Sequence, residues 1–145
     1  MSSVLIADDE ARIREVLVRW LIPAGYETRE AADAETALAI MAATPSDVVL
    51  CDIQMPGQGG LWLVERLREQ FPQAAIVLAT ADEAVPPFVS LKGGVVDYLV
   101  KPYGRERVLA AVRRGVDWHQ AAVARGPERK PAEDPLEKWI RPEQK

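Results

Sequence analysis

The sequence contains one cysteine, Cys51, and one histidine, His119. A lone cysteine cannot form an internal disulfide, which excludes the disulfide scaffolds of small secreted proteins. Its neighbours Val48, Val49 and Leu50 are apolar and indicate a buried, unreactive thiol rather than a nucleophile. His119 lies on a predicted helix without a companion residue, so we predict neither a metal site nor a proton relay around it.

Long hydrophobic runs are also missing. The first apolar run, Val4–Ala7, is too short for a signal peptide and leads directly into acidic residues. No run approaches the roughly 20 residues of a membrane-spanning helix. With 48% apolar and 28% charged residues, the 145-residue chain has the composition of a globular protein large enough for one domain and a tail. We therefore predict a cytoplasmic protein that does not enter a membrane.

Basic residues are scarce in the first 100 positions, which hold 7 Lys/Arg against 15 Asp/Glu. Such an acidic body disfavours direct binding of nucleic acid, which draws its affinity from phosphate neutralisation. Residues 101–145 reverse the balance, with 11 Lys/Arg against 7 Asp/Glu. A solvated helix face is the simpler interpretation of this basic end, and contact with an acidic partner is the alternative. Four arginines are expected to dominate that face: Arg105, Arg107, Arg113 and Arg114.

Short apolar runs with little alternation recur along the chain, as in strands that are buried on both faces. They are Val4–Ala7, Val48–Cys51, Ile76–Ala79 and Val95–Val100, with a weaker fifth candidate at Tyr26–Arg29. Apolar residues at helical spacing lie between them, and Asp33 and Gly60 stand where helices are expected to start. This alternation predicts an α/β fold with a parallel sheet and helices on both faces.

The segment between the fourth and fifth predicted strands is irregular. Pro86 and Pro87 can only open a helix, so we predict a short fourth helix from about Pro87 to Lys92. The last helix is expected to extend to about Ala124.

The C-terminal part, after Gly126, combines four prolines with many charges. We divide the chain into a domain at residues 1–124 and a charged, proline-rich tail or linker at residues 125–145. Within the tail, Leu136, Trp139 and Ile140 are spaced as one apolar helix stripe. A disordered tail and a docking segment for this domain or for a partner are both compatible with this pattern.

Polar residues follow four of the five predicted strands. Asp8 and Asp9 follow the first, and Asp52, Thr80 and Lys101 end or follow the third, fourth and fifth. Ligands of open parallel sheets bind beyond these carboxyl ends. Three carboxylates suit a hard cation such as Mg²⁺, and a carboxylate can attack phosphorus to give an aspartyl phosphate. Asp52 is the better candidate nucleophile, because the adjacent Asp8 and Asp9 are suited to sharing a cation.

Four motifs carry a resemblance to a known family: "ADDE" (7–10), "CDIQMPGQGG" (51–60), "LATAD" (78–82) and "DYLVKPY" (97–103). Over about residues 3–120 the sequence resembles the receiver (CheY-like) domain of two-component response regulators. The resemblance implies a doubly wound, five-stranded parallel sheet of flavodoxin-like strand order 2-1-3-4-5.

The resemblance also implies roles at the acidic edge. Asp52 matches the phosphoacceptor. Asp9 and Asp52 match the side-chain ligands of Mg²⁺, the Gln54 backbone carbonyl matches a third protein ligand, and Asp8 matches an acid that acts largely through water.

Other matching positions concern the switch. Thr80 matches the hydroxyl that moves to the phosphoryl group, and Lys101 matches the cation that pairs with it. Tyr98 matches the aromatic residue that turns inward on activation, and Pro102 matches a cis-proline. Asp82, with Gln54, matches a variable position that tunes dephosphorylation. The 21-residue spacing from Thr80 to Lys101 is one residue shorter than the family pattern.

These matches predict a phosphorylation-dependent receiver. A histidine kinase or phosphotransfer protein would donate a phosphoryl group to Asp52, and the change would alter the binding of a downstream protein. Mg²⁺-dependent self-phosphorylation and autodephosphorylation would be its only chemistry, without direct contact to nucleic acid. Alternatives are a phosphorylation-independent interaction module and an N-terminal fragment of a longer response regulator. A phosphatase resembling haloacid dehalogenases is disfavoured, because Gln54 replaces its second acid. A homodimer remains open.

Overall fold

The computed structural model of the chain describes residues 1–81 and 94–126. The strands are β1 (Ser3–Ala7), β2 (Glu27–Ala31), β3 (Val48–Asp52), β4 (Ala75–Thr80) and β5 (Val95–Val100). The helices are α1 (Ala11–Leu21), α2 (Ala34–Ala43), α3 (Gly60–Gln70) and α4 (Arg105–Arg125). Within these ranges, no helix combines the length and the hydrophobicity that a membrane span requires.

All neighbouring strands pair in parallel, in the order β2-β1-β3-β4-β5. The predicted doubly wound α/β architecture is therefore confirmed. One set of alternate strand residues, including Leu5 and Val49, packs under α2 and α3. The other set, including Ile6 and Leu50, packs under α1 and α4. Both faces of the central strands are covered, which is why these strands are almost continuously apolar.

The helix starts follow local chemistry. The Asp33 carboxylate accepts a hydrogen bond of 2.8 Å from the Thr36 N–H, so Asp33 caps α2 as predicted. Gly60 is the first residue of α3. The last helix ends at Arg125, one residue beyond the expected end, and Gly126 follows it with a φ of 94° that suits glycine.

The second strand was predicted at Tyr26–Arg29, which begins one residue and ends two residues before β2 does. Tyr26 instead belongs to the turn after α1, since its N–H donates to the Leu21 carbonyl at 3.2 Å. As the edge strand of the described sheet, β2 is partly exposed. Its sequence therefore lacks the apolar run that located the other strands.

His119 has partners that its position in the sequence does not reveal. Its Nδ1 lies 2.7 Å from the Gln73 carbonyl oxygen, and its Nε2 lies 3.3 Å from Asp47 Oδ1. Asp47 directly precedes β3, and Gln73 lies two residues before the start of β4. The side chain thus ties the second half of α4 to the amino-terminal edge of the sheet.

Two predictions concern residues outside the described ranges. The short helix at Pro87–Lys92, with Asp82 before it, falls in residues 82–93, and the Leu136–Ile140 stripe falls in residues 127–145.

Candidate functional site

The carboxyl-terminal edge of the sheet collects the predicted site residues. Asp8 directly follows β1, Asp52 ends β3 and Thr80 ends β4. All three are buried, with exposed fractions of 3%, 3% and 2%. Lys101 follows β5, and 14% of its side chain is exposed. Parallel pairing brings these four positions together although they are far apart in the chain.

The ammonium group of Lys101 lies between two of the carboxylates. Its Nζ is 3.1 Å from Asp8 Oδ2 and 3.2 Å from Asp52 Oδ2. The Lys101 backbone N–H donates to the Thr80 carbonyl at 2.7 Å, which anchors this position to the end of β4. The Lys101–Pro102 peptide bond is cis, as the resemblance implied.

Backbone N–H groups hold the other oxygen of each buried carboxylate. Asp8 Oδ1 accepts from the Glu10 N–H at 2.9 Å, and Asp52 Oδ1 accepts from the Gln54 N–H at 3.1 Å. Both carboxylates are therefore oriented before any ligand arrives. For Gln54, the described contacts involve this N–H and its side-chain oxygen, 3.5 Å from the Ala81 N–H. A metal-binding role of the Gln54 carbonyl stays a prediction.

Burial and neighbouring charges shift the protonation equilibria of the site. Burial raises the pKa of Asp52 above its ordinary value, with Lys101 acting against this shift and the negative charge of Asp8 adding to it. Burial alone would lower the pKa of Lys101, but the carboxylates of Asp52 and Asp8 outweigh it and raise that pKa. Lys101 is therefore charged at neutral pH, and the negative charge on Asp52 carries an electrostatic cost.

The acidic group matches the needs of a divalent cation. Asp8, Asp9 and Asp52 each offer a carboxylate oxygen, and these atoms lie within 4.8 Å of one another. Three ionised carboxylates around one ammonium group leave an excess of two negative charges. Asp9 is exposed, whereas the other two are buried, so the group opens to solvent on one side. Oxygen ligands with room for several waters are what Mg²⁺ prefers.

The start of α3 packs directly against the end of β3. A Cβ atom on Gly60 would lie 2.2 Å from the Asp52 carbonyl oxygen, so only glycine allows this approach. Cys51, the neighbour of Asp52, is fully buried, and its Sγ lies 3.8 Å from the Gly60 carbonyl oxygen. Burial and the charges of Asp52 and Asp8 raise the pKa of this thiol, in agreement with the predicted unreactive cysteine.

Tyr98 lies on β5 with 37% of its surface exposed. Its backbone is held by a cluster that we call the Asp97 clasp, formed by Asp97, Arg107 and Arg114. The buried Asp97 carboxylate accepts from both guanidinium groups at 2.9 Å and from the Tyr98 N–H at 2.9 Å. Arg107 also donates to the Tyr98 carbonyl at 3.1 Å. The inward turn of Tyr98 stays a prediction.

The Asp97 clasp adds acidic partners to the predicted basic face of the last helix, whose four arginines remain exposed. Arg107 and Arg114 are paired with a buried carboxylate, and Arg105 and Arg113 lie 3.6 Å from Glu106 and Asp117. The sequence contains a sign of this pairing, because Asp97 lies inside the apolar run Val95–Val100 and a buried carboxylate requires a cationic partner.

An open groove of about 530 Å³ adjoins the site. It lies between α1 and the connection from β5 to α4, and is lined by Glu10, Arg12, Ile13, Val16, Trp20, Lys101, Pro102 and Tyr103. The Tyr103 hydroxyl is buried and has no hydrogen-bond partner among the residues that the structure describes. Burial, followed by the charges of Asp8 and Asp52, raises its pKa, so it remains a neutral donor. The sequence pattern did not predict this groove.

Comparison with known proteins agrees with this geometry. The transcriptional regulator NtrC of Salmonella typhimurium is 34% identical over 118 residues, which cover 81% of this chain and 25% of NtrC. The sensory transduction protein RegX3 of Mycolicibacterium smegmatis is 34% identical over 130 residues, 87% of this chain and 57% of RegX3. The chain thus spans between a quarter and somewhat over half of these relatives.

Solved structures show the same fold. The receiver domain of NtrX from Brucella abortus superposes with a TM-score of 0.73 at 30% identity, and the chemotaxis protein CheY4 of Vibrio cholerae with 0.72 at 32%. Each covers 79% of this chain, which in turn covers 98% of each structure. The family model of the response regulator receiver domain matches residues 4–113. The chain therefore belongs to the response regulator receiver domain family.

Proposed function

We propose that the chain is a phosphorylation-dependent switch whose phosphoacceptor is Asp52. The observation that carries the proposal is the placement of Lys101 Nζ at 3.1 and 3.2 Å from Asp8 and Asp52, inside a group of three carboxylates. Asp52 is the one member at the end of the central strand β3, and its backbone is packed against Gly60. Strand and helix together hold this nucleophile in place.

Asp8, Asp9 and Asp52 would hold Mg²⁺, with the Gln54 carbonyl as a further ligand. When bound, the ion neutralises charge on the phosphoryl oxygens and on the carboxylates. An Asp52 carboxylate oxygen then attacks phosphorus. The bond from phosphorus to the donor, an imidazole nitrogen of a histidine kinase or phosphotransfer protein, breaks, and that nitrogen keeps the electron pair. The product is an acyl phosphate on Asp52.

Lys101 and Thr80 would stabilise the product. The Lys101 ammonium exchanges its contact with Asp52 Oδ2 for one with a phosphoryl oxygen, and the Thr80 hydroxyl donates to another. This movement would draw Tyr98 inward and change the affinity for a downstream protein. Attack of water on the acyl phosphate returns the carboxylate and releases inorganic phosphate. In this scheme residues 1–124 form the receiver, and residues 125–145 form a tail or linker.

Intact-protein mass after incubation with acetyl phosphate tests the proposal. We expect one added phosphoryl group, which requires Mg²⁺ and is absent in Asp52→Asn. The matched control is Asp117→Asn, which alters an exposed aspartate on α4, paired with Arg113, and should leave uptake unchanged. Uptake by Asp52→Asn equal to that of the wild type would refute the assignment. A wild-type protein that binds Mg²⁺ but remains unmodified would favour the phosphorylation-independent interaction module.

A further inference from the structure

The backbone of Asp8 is fixed on both sides by hydrogen bonds, in addition to the contacts of its carboxylate. Its N–H donates to the Ala31 carbonyl at the end of β2 at 3.1 Å. Its carbonyl oxygen accepts from Nη1 of Arg14 at 2.8 Å. This carbonyl belongs to the peptide group that joins Asp8 to Asp9. A side chain of α1 therefore holds the peptide group between two of the three carboxylates.

Arg14 is itself held in place. It is the fourth residue of α1, and 18% of its side chain is exposed. Its Nε donates to Glu30 Oε1 at 3.1 Å while Nη1 donates to the Asp8 carbonyl. A guanidinium group is planar and donates in fixed directions, so the contact with Glu30 also restricts the orientation of Nη1. Glu30 directly precedes Ala31, and the end of β2 thus supports Asp8 both directly and through Arg14.

We propose that Arg14 is a positioning residue for the proposed Mg²⁺ site and acts through the peptide group between Asp8 and Asp9. Asp9 contributes the exposed oxygen of the three-carboxylate group. Within residues 1–81 and 94–126, no group donates a hydrogen bond to its carboxylate. Its direction therefore depends on the backbone that carries it, and Arg14 fixes that backbone. This inference rests on the proposed function, because it concerns the same site.

The charge of Arg14 and its hydrogen bond affect the binding of a cation in opposite directions. A positive charge near the carboxylates reduces the attraction for Mg²⁺, so removal of the charge alone would tighten binding. Loss of the hydrogen bond to Asp8 would weaken binding, because the carboxylates would no longer be held in one arrangement. The carboxylate of Glu30 offsets much of the charge on Arg14. We therefore expect the positioning effect to dominate.

Titration of the full chain with MgCl₂, followed by the backbone amide resonances in NMR spectra, tests the role of Arg14. We expect Arg14→Met, which keeps the length of the side chain without its donors, to weaken Mg²⁺ binding about tenfold. Arg14→Lys keeps the charge and one donor group, and should recover part of the affinity. The matched control is Arg12→Met, which removes an exposed arginine from the same helix and should not weaken binding.

Two readouts separate positioning from a general loss of structure or a change of charge. Without Mg²⁺, Arg14→Met should shift the amide resonance of Asp9, whose N–H belongs to the affected peptide group. It should leave the resonance of His119, at the opposite edge of the sheet, in place. In about 1 M KCl the Debye length falls to about 3 Å, and the difference in affinity should persist because a hydrogen-bonded geometry is not screened.

A second variant keeps the test decisive if Arg14→Met does not fold. Glu30→Ala changes an exposed residue of the edge strand and frees the guanidinium group, so it should weaken Mg²⁺ binding in the same direction by a smaller factor. Glu27→Ala, which removes an exposed carboxylate from the same strand, is its control.

The possible failures of the two proposals are distinguishable. Equal affinities of the wild type and Arg14→Met would overturn the positioning role and leave the metal site intact. Tighter binding by Arg14→Met would also overturn it, since the charge of Arg14 would then outweigh its hydrogen bond. A wild-type protein whose spectrum does not respond to Mg²⁺ would overturn the metal site itself, and the positioning role with it.

Discussion

At the scale of single residues, the site is a balance between three carboxylates and one ammonium group. Asp8 and Asp52 share the Lys101 cation, while Asp9 is exposed. The raised pKa of Asp52 shows that, without a metal ion, the carboxylate carries its charge at a cost. The same excess of negative charge that destabilises the metal-free protein would attract a divalent cation.

The first prediction follows from that cost. The folded protein binds a proton at Asp52 more tightly than the unfolded chain does, so above the raised pKa the charged carboxylate lowers stability. In metal-free buffer at pH 7, we expect Asp52→Asn to raise the melting temperature by about 2–5 °C. The gain should shrink as the pH falls through the raised pKa of Asp52. Calorimetry of both proteins between pH 4 and pH 8 checks this, and a lower melting temperature for the variant at pH 7 would contradict it.

Single residues also show what the sequence could and could not predict. The sequence pointed to five candidate site residues because each lies at or just after the end of a strand, and the parallel sheet brings strand ends together: Asp8, Asp9, Asp52, Thr80 and Lys101. For Asp97, the sequence indicates that a carboxylate inside an apolar run needs a cation, but it does not indicate which residues of α4 supply that cation. The choice depends on how α4 is rotated against β5, which no local pattern specifies.

At the scale of elements, the junction of β3 with α3 determines where Asp52 stands. A Cβ atom added to Gly60, the first residue of α3, would overlap the Asp52 carbonyl oxygen, at a distance of 2.2 Å. The sequence motif contains this glycine, and the start of α3 at Gly60 was predicted correctly. The close approach of Gly60 to the Asp52 carbonyl could not be predicted, because it depends on how α3 packs against β3.

We expect Gly60→Ala to lower the free energy of unfolding by about 1–3 kcal/mol, because the added methyl group must displace the end of β3. Phosphoryl uptake should fall as well, since Asp52 moves with that strand. Gly104→Ala is the matched control, as its Cβ would meet nothing within 4 Å. Urea denaturation and intact mass measure the two effects. A Gly60→Ala protein as stable and as active as Gly104→Ala would rule out this packing argument.

The Asp97 clasp joins β5 to α4, and we expect the stability that it contributes to depend on pH. Hydrogen bonds from Arg107 lower the pKa of Asp97 against the effect of burial, and Arg114 adds to the shift. A lowered pKa contributes stability that is present above the unfolded pKa of about 3.9 and is lost as the pH falls through the folded value. The clasp should therefore stabilise the protein at neutral pH and lose this stabilising effect in acid, when Asp97 becomes protonated.

We expect Asp97→Asn to lower the free energy of unfolding by about 1–3 kcal/mol at pH 7. The loss is not larger because both arginines are partly exposed, and solvent weakens their interaction with the carboxylate. The difference from the wild type should vanish once the pH is below the folded pKa of Asp97. Asp117→Asn, which removes an exposed pair at 3.6 Å, should cost no more than about 0.5 kcal/mol. Equal effects of the two substitutions in urea titrations at pH 7 would show that the clasp is no stronger than a surface ion pair.

At the scale of the whole molecule, the alternation of strands and helices was sufficient to predict the architecture. The apolar runs at Val4–Ala7, Val48–Cys51, Ile76–Ala79 and Val95–Val100 each lie inside a strand. The edge strand β2 was predicted with bounds one or two residues too early, because an exposed strand lacks a continuous apolar run. The groove beside α1 could not be predicted, since it exists only between elements that are distant in the sequence.

The proposed metal site would couple to the stability of the whole domain. A ligand that binds only the folded state stabilises it by about 2.7 kcal/mol at one hundred times its dissociation constant. We expect Mg²⁺ to raise the melting temperature of the wild type with the logarithm of its concentration. Asp9→Asn should abolish most of this increase, because it removes the exposed member of the carboxylate group. If Mg²⁺ raised the melting temperature of Asp9→Asn as much as that of the wild type, the ion would bind elsewhere. The control is Glu15→Gln, which removes a carboxylate from the exposed face of α1 and should leave the Mg²⁺ effect unchanged.

The central claim is that a phosphoryl group becomes bonded to Asp52, and locating that bond tests it most directly. After incubation with acetyl phosphate and Mg²⁺, borohydride reduction converts an aspartyl phosphate into homoserine, which peptide mass spectrometry assigns to a position. We predict homoserine at position 52 alone, and none when Mg²⁺ is chelated beforehand. Homoserine at position 8 or 9, or its absence from position 52 in a protein that has gained a phosphoryl group, would contradict the account.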